Sequence, residues 1–173
     1  CNGQAFSGGG PYIKGVGINA PASGSSHSAL CQIYTDNTSQ FWHVYPDSTY
    51  STWFLYGRCG SQGSGCGTCQ VQTVIDVYID WNQDDDFDDE GETYNLGFAV
   101  NTTNGITSLS PLSITVPNNA QEGETVLRVA AKFGAYPDQC ETNFDGEVED
   151  YTIFADQVTY IKNDEKIITK NYQ

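Results

Sequence analysis

Hydrophobic and polar residues alternate along this chain mostly with a period of two, and the 3.6-residue period of an amphipathic helix is hard to find. The strand-like runs are short. Tyr12 to Ile18 predicts one strand. Phe41 to Tyr45 and Thr52 to Tyr56 predict two more, separated by the turn-like Pro46-Asp47-Ser48. Thr73 to Trp81 is the strongest strand, and Leu112 to Val116 predicts another, stopped by Pro117. Thr125 to Phe133 alternates well: Leu127, Val129 and Ala131 face one way, Val126, Arg128 and Ala130 the other. Glu147 to Phe154 follows, with Glu147 and Glu149 on one face and Val148 and Asp150 on the other. Gly57 to Gly67 reads as a Gly/Ser/Cys loop and Asn101 to Gly105 as a turn, and no internal repeat is found. The expectation is an all-β fold.

Composition agrees. In 173 residues, Gly numbers 18 and Tyr 11 while charged residues are only 17%, a mix that favours many short strands joined by turns. No segment approaches the ~20 apolar residues of a membrane helix. A chain that begins at Cys1 and holds no Met reads as a mature or excised product. The six cysteines, Cys1, Cys31, Cys59, Cys66, Cys69 and Cys140, predict disulfides that pin the loops in an oxidising compartment. Cys66-Gly-Thr-Cys69 as half of a zinc site is the weaker reading, because no second CxxC exists and His27 and His43 lie far upstream. Sequence does not choose among the possible pairings.

The formal net charge of -15 makes nucleic acid a poor partner, disfavours anionic membrane and favours cations. Residues 156 to 173 set Lys162, Lys166 and Lys170 against Asp156, Asp164 and Glu165 and are neutral, so residues 1 to 155 carry the whole charge. This divides the chain into a domain, 1 to 155, and a tail, 156 to 173. The tail predicts strands from Val158 to Lys162 and from Lys166 to Tyr172 around an Asn163-Asp164-Glu165 turn. It is either a hairpin closing its own sandwich or an arm that pairs with another subunit.

Residues 80 to 92 hold Asp80, Asp84, Asp85, Asp86, Asp88, Asp89, Glu90 and Glu92 and no base. Oxygen side chains at Asp80, Asn82, Asp84 and Asp86, the first, third, fifth and seventh positions of a loop after a strand, can converge on one hard cation. Later ligands are sought among Asp88, Asp89 and Glu92. Calcium, with many oxygens at flexible geometry, suits such a loop better than magnesium. An EF-hand is excluded, because Asp85 stands where Gly is needed and Gly91 where Glu is needed. The plain alternative is a solvated acidic turn, against which stands the mutual repulsion of so many acids.

Gly146-Glu147-Val148-Glu149-Asp150-Tyr151-Thr152, with Tyr78-Ile-Asp80-Trp-Asn82-Gln-Asp84 upstream and Ile114-Thr-Val-Pro117 and Leu127-Arg128-Val129 between, resembles the GEVED domain. Weaker echoes at Tyr12-Ile13 and Tyr34-Thr35-Asp36-Asn37-Thr38 extend the resemblance over roughly residues 1 to 155. It implies a jelly-roll-like β-sandwich from a large secreted or cell-surface bacterial protein, with an accessory or adhesive role rather than a reaction. The chain departs from the family where the loop is usually Asp-Gly-Asp, since Asp85 replaces Gly; a positive φ there suits Asp less well. Two roles stand open for the motif's acids: one Glu pairs across strands with Arg128, or a Glu or Asp150 completes a calcium shell.

The acids do not form the separated pair of a glycosidase, and no Ser-His-Asp or Cys-His set is apparent, so no enzyme is expected. Phe41, Trp42, Tyr45, Tyr50, Trp53, Phe54 and Tyr56 read mainly as core, with Trp42 and Trp53 the candidates for a ligand platform. Asn37 and Asn101 begin N-glycosylation sequons. The functional expectation is a calcium-binding, extracellular or cell-surface structural or adhesive module. Its partners would be copies of itself, neighbouring surface proteins or glycans, and it would serve as a filament subunit or as part of a multi-domain adhesin. The alternative is a carbohydrate-binding accessory module of a larger secreted hydrolase or protease.

Overall fold

The computed structural model describes residues 4–6, 11–19, 33–58, 72–100, 105–157, 160–163 and 166–169. Their elements are strands: β1 (Gln4–Phe6), β2 (Pro11–Ile18), β3 (Tyr34–Val44), β4 (Thr49–Arg58), β5 (Gln72–Ile79), β6 (Thr93–Val100), β7 (Gly105–Ile106), β8 (Leu112–Thr115), β9 (Gly123–Phe133), β10 (Thr142–Ala155), β11 (Tyr160–Asn163) and β12 (Lys166–Thr169). Among the described residues there is no helix. The Cys59 to Cys69 loop, most of the Asn101 to Gly105 turn, and Cys1, His27 and Cys31 lie outside them.

The larger sheet runs β6, β5, β9, β10, after which β1 and β3 share the far side of β10. β10 is antiparallel to β9 and parallel to both β1 and β3. The smaller sheet pairs β2 with β4, and β7 and β8 share the other edge of β4. The predicted turn at Pro46-Asp47-Ser48 carries the chain from the large sheet to the small one, with Ser48 N donating to Tyr45 O at 3.2 Å. Between the sheets lies one core: Ile13, Phe54, Tyr56 and Ile114 from the small sheet meet Ile75, Val77, Leu127, Val129, Tyr151 and Ile153 from the large one. The fold is all-β, in two layers.

Several strands, β3, β4 and β10 among them, are longer than the pattern predicts. Phe41 to Tyr45 is the end of β3, whose first half, with exposed Asp36, Thr38, Ser39 and Gln40, shows no apolar alternation. The register against β10 slips across this half, where Asp150 faces Asp36 but Thr152 faces Phe41. The tail strands pair with each other, Ile161 opposite Ile168, and belong to neither larger sheet.

The alternation in β9 is as predicted, but its second face is also covered. Tyr78, Phe87, Ala130, Phe144 and Val148 form a second cluster on the outer side of the large sheet, with Tyr34 packed against it. Phe87 reaches that face from the loop between β5 and β6, so β5 is buried on both sides over nearly its whole length. A period of two reports only one buried face, which is why the outer cluster is invisible in the pattern.

Candidate metal centre

The loop from Asp80 to Glu92 is built by its own acids. β5 ends at Ile79, and the buried Asp80 carboxylate caps the turn, accepting Asp84 N at 3.2 Å and Asp85 N at 3.1 Å. Glu92 closes the far end: its Oε1 accepts Trp81 N at 2.7 Å and Asn82 N at 3.3 Å. Between them three Asx turns follow in step. Asn82 Oδ1 accepts Asp84 N, Asp84 Oδ1 accepts Asp86 N, and Asp86 Oδ1 accepts Asp88 N. This repeat turns alternate side chains to one side. One carboxylate oxygen each from Asp84, Asp86 and Asp89 lies within 4.8 Å of the others. Asn82 Nδ2 donates to Asp84 Oδ2 at 3.0 Å and to Asp89 Oδ2 at 2.6 Å.

Of the seven candidate ligands, the structure therefore gathers Asn82, Asp84, Asp86 and Asp89. Asp80 spends both oxygens on the backbone, and Asp88 Oδ1 accepts Gln139 Nε2. Glu92 is 2% exposed, and its Oε2 is buried with no hydrogen-bond partner among the described residues. Burial raises its carboxyl above the ordinary range, against the lowering effect of its two backbone bonds. Asp85 lies at φ 72°, the left-handed conformation that glycine takes freely.

The motif residues divide differently from either expected role. Asp150, not a Glu, sits directly across from Arg128. Arg128 Nε donates to Asp150 Oδ1 at 2.8 Å and Nη2 to Oδ2 at 2.7 Å, a buried bidentate pair to which Tyr34 OH adds a bond at 3.1 Å. Glu147 and Glu149 point between the sheets instead of toward the acidic loop. Glu147 Oε2 accepts Ile13 N at 2.6 Å, tying the large sheet to the small one, and Oε1 accepts Thr35 Oγ1 at 3.3 Å. Glu149 Oε2 accepts Tyr151 OH at 2.5 Å. Burial pushes the Glu147 carboxyl up to about 7. Burial, and then the charge of Glu147, pushes Glu149 up to about 8. Gly146 admits no side chain, since a Cβ there would stand 1.9 Å from Ala131 O and 2.6 Å from the Phe144 ring. Residues 74–154 match the family model of the GEVED domain. The chain carries a GEVED domain.

The match runs from β5 into β10 and so holds both the acidic loop and the motif, while the β2 and β4 strands lie outside it. No curated protein matches the chain significantly. The platform candidates flank this GEVED domain without presenting open faces: Trp42 is half-buried against Tyr151, ring centroids 5.6 Å apart, and Trp53 is half-buried in β4. The exposed aromatic in β3 is Phe41, at 55%, set edge-on to His43 and Phe154. Periodicity had the signal, since Phe41 and Trp42 must face opposite ways, but not which way is out. Asn37 is 7% exposed, and its Oδ1 accepts Gln40 Nε2, so its sequon offers no free amide at the surface; Asn101 lies outside the described residues. Cys140 is the one cysteine among the described residues, and it is disulfide-bonded.

Proposed function

We propose that this chain is a calcium-binding extracellular module with a structural or adhesive role, a jelly-roll-like sandwich held by disulfides among its six cysteines. The observation that carries the reading is the convergence of Asp84, Asp86 and Asp89 around Asn82. Three carboxylates at such range repel one another in the absence of a cation. Hard, all-oxygen donors on a loop suit calcium. The buried Oε2 of Glu92, at the loop's base, is a polar atom that no group among the described residues meets. Asp84, Asp86 and Asp89 would hold the ion, whose part is to cancel the loop's charge and fix its shape. The oxidised Cys140 supports an oxidising compartment.

A structural role is favoured over a reaction by where the perturbed acids lie. Glu147 and Glu149, 3% and 0% exposed, are inside the sandwich and out of reach of a substrate. The carbohydrate-binding reading keeps one support, the exposed Phe41 beside His43 and Phe154. The filament reading draws on the β11–β12 hairpin, which joins neither sheet. Thermal unfolding with and without calcium tests the metal. Calcium at a hundredfold excess over its Kd should stabilise the fold by about 2.7 kcal/mol. Asp84→Asn with Asp86→Asn should abolish the gain, and identical melting in calcium and chelator would sink the proposal.

A further inference from the structure

We infer that Phe87 is the positioning residue of the acidic loop, docking it on the outer face of the large sheet so that Asp84, Asp86 and Asp89 stay gathered, and that Asp150 of the GEVED motif acts on the loop through Arg128 and this ring. The ligand in this inference rests on the calcium reading above; the positioning rests on packing alone. Phe87 is 5% exposed, although Asp84, Asp85, Asp88 and Asp89 around it are all exposed. Its ring tilts against Tyr78 with centroids 5.8 Å apart. The Arg128 guanidinium lies over it, 5.6 Å from the centroid, a cation–π distance. Arg128 is itself fixed by both oxygens of Asp150. Its Nη1 donates to Gln139 O at 3.1 Å, and Gln139 Nε2 donates to Asp88 Oδ1. The loop is thus held at Phe87 by the sheet and at the next residue, Asp88, by Gln139 of the β9–β10 connection.

Phe87 has no ligand atom, yet it sits among the three converging acids, after Asp86 and before Asp89. Their repulsion drives the loop to spread. A ring seated in the outer cluster opposes that spreading, so the donors are already in place when a cation arrives, and little ordering is left for binding to supply. The motif gains a role that ligation does not explain. Asp150 sets the Arg128 plane, and that plane covers the ring.

Calcium titration calorimetry on the full chain, with amide hydrogen exchange in chelator, separates the possibilities. Phe87→Ala should bind calcium about tenfold or more weakly, as removal of a supporting contact does. It should also lose protection at the Asp84, Asp85, Asp86 and Asp88 amides, the donors to Asp80, Asn82, Asp84 and Asp86. Phe87→Leu should restore part of both. Phe144→Ala removes a ring of the same cluster carried on β10, and it should leave calcium affinity as in the wild type. Wild-type affinity with protected loop amides in Phe87→Ala overturns the inference, as does an equal loss in Phe144→Ala. Should the wild type take up no calcium while Phe87→Ala still frees the loop amides, the metal reading falls and the positioning role stands.

Discussion

Asp85 holds a left-handed backbone that costs a non-glycine residue about 1–2 kcal/mol, partly offset by the freedom a glycine would lose on folding. Asp85→Gly keeps the N–H that bonds Asp80, relieves the conformation and removes one charge. It should stabilise the protein by about 0.5 kcal/mol in chelator, seen as a raised melting temperature. Glu147 and Glu149 make the opposite kind of demand. Their folded values, about 7 and about 8, stand above the ordinary 4.5 of an unfolded glutamate. Groups raised in this way bind more protons folded than unfolded. Their stabilising effect is therefore complete below about pH 4.5 and is lost as pH rises through about 7 and about 8. Urea unfolding in chelator should show stability falling between pH 5 and 8, by on the order of several kcal/mol if the shifts act in full. Glu147→Gln with Glu149→Gln should flatten that fall; an unchanged slope would show that these two carboxyls are not its source. That both residues occupy one face was legible from their spacing. That the face is the interior was not, because two glutamates in a strand carry no apolar signal.

At the scale of elements, β10 organises the molecule. It has β9 on one side and β1 and β3 on the other, and both its faces are covered. Its inward face joins the sheets through Glu147, and its outward face holds Arg128 through Asp150. The side chains of Arg128 and Asp150 are only 7% and 10% exposed. Removing one partner strands the other's charge out of water, which costs about 3–5 kcal/mol. Asp150→Asn should lower stability by about 3 kcal/mol in chemical unfolding. Replacing both, Arg128→Met with Asp150→Leu, should recover much of that loss, since it leaves no buried charge. Recovery is absent if the pair's value lies in its hydrogen bonds to Tyr34 and Gln139.

At the scale of the molecule, charge and connectivity separate the tail from the body. The -15 resides in residues 1 to 155, and residues 156 to 173 are neutral with three lysines. The β11–β12 hairpin pairs within itself, and a hairpin this short is marginal in water without further contacts. The lysines of the tail suit an acidic neighbour. Deleting residues 156 to 173 should lower the assembly state seen by light scattering; an unchanged state means the tail links no subunits.

Sequence alone determined the all-β character, the centres of β2, β4, β5 and β8 to β12, the acidic loop and the motif, because each is written locally, in a period of two or in adjacent letters. Tertiary structure decided which oxygens meet. Asp80 and Glu92 fell to the backbone and Asp88 to Gln139, because the loop folds back over the sheet and each side chain takes the partner that fold brings near. It also decided that Asp150, and not a glutamate, faces Arg128, since the register of β10 against β9 sets that pairing, and register depends on contacts far apart in the chain.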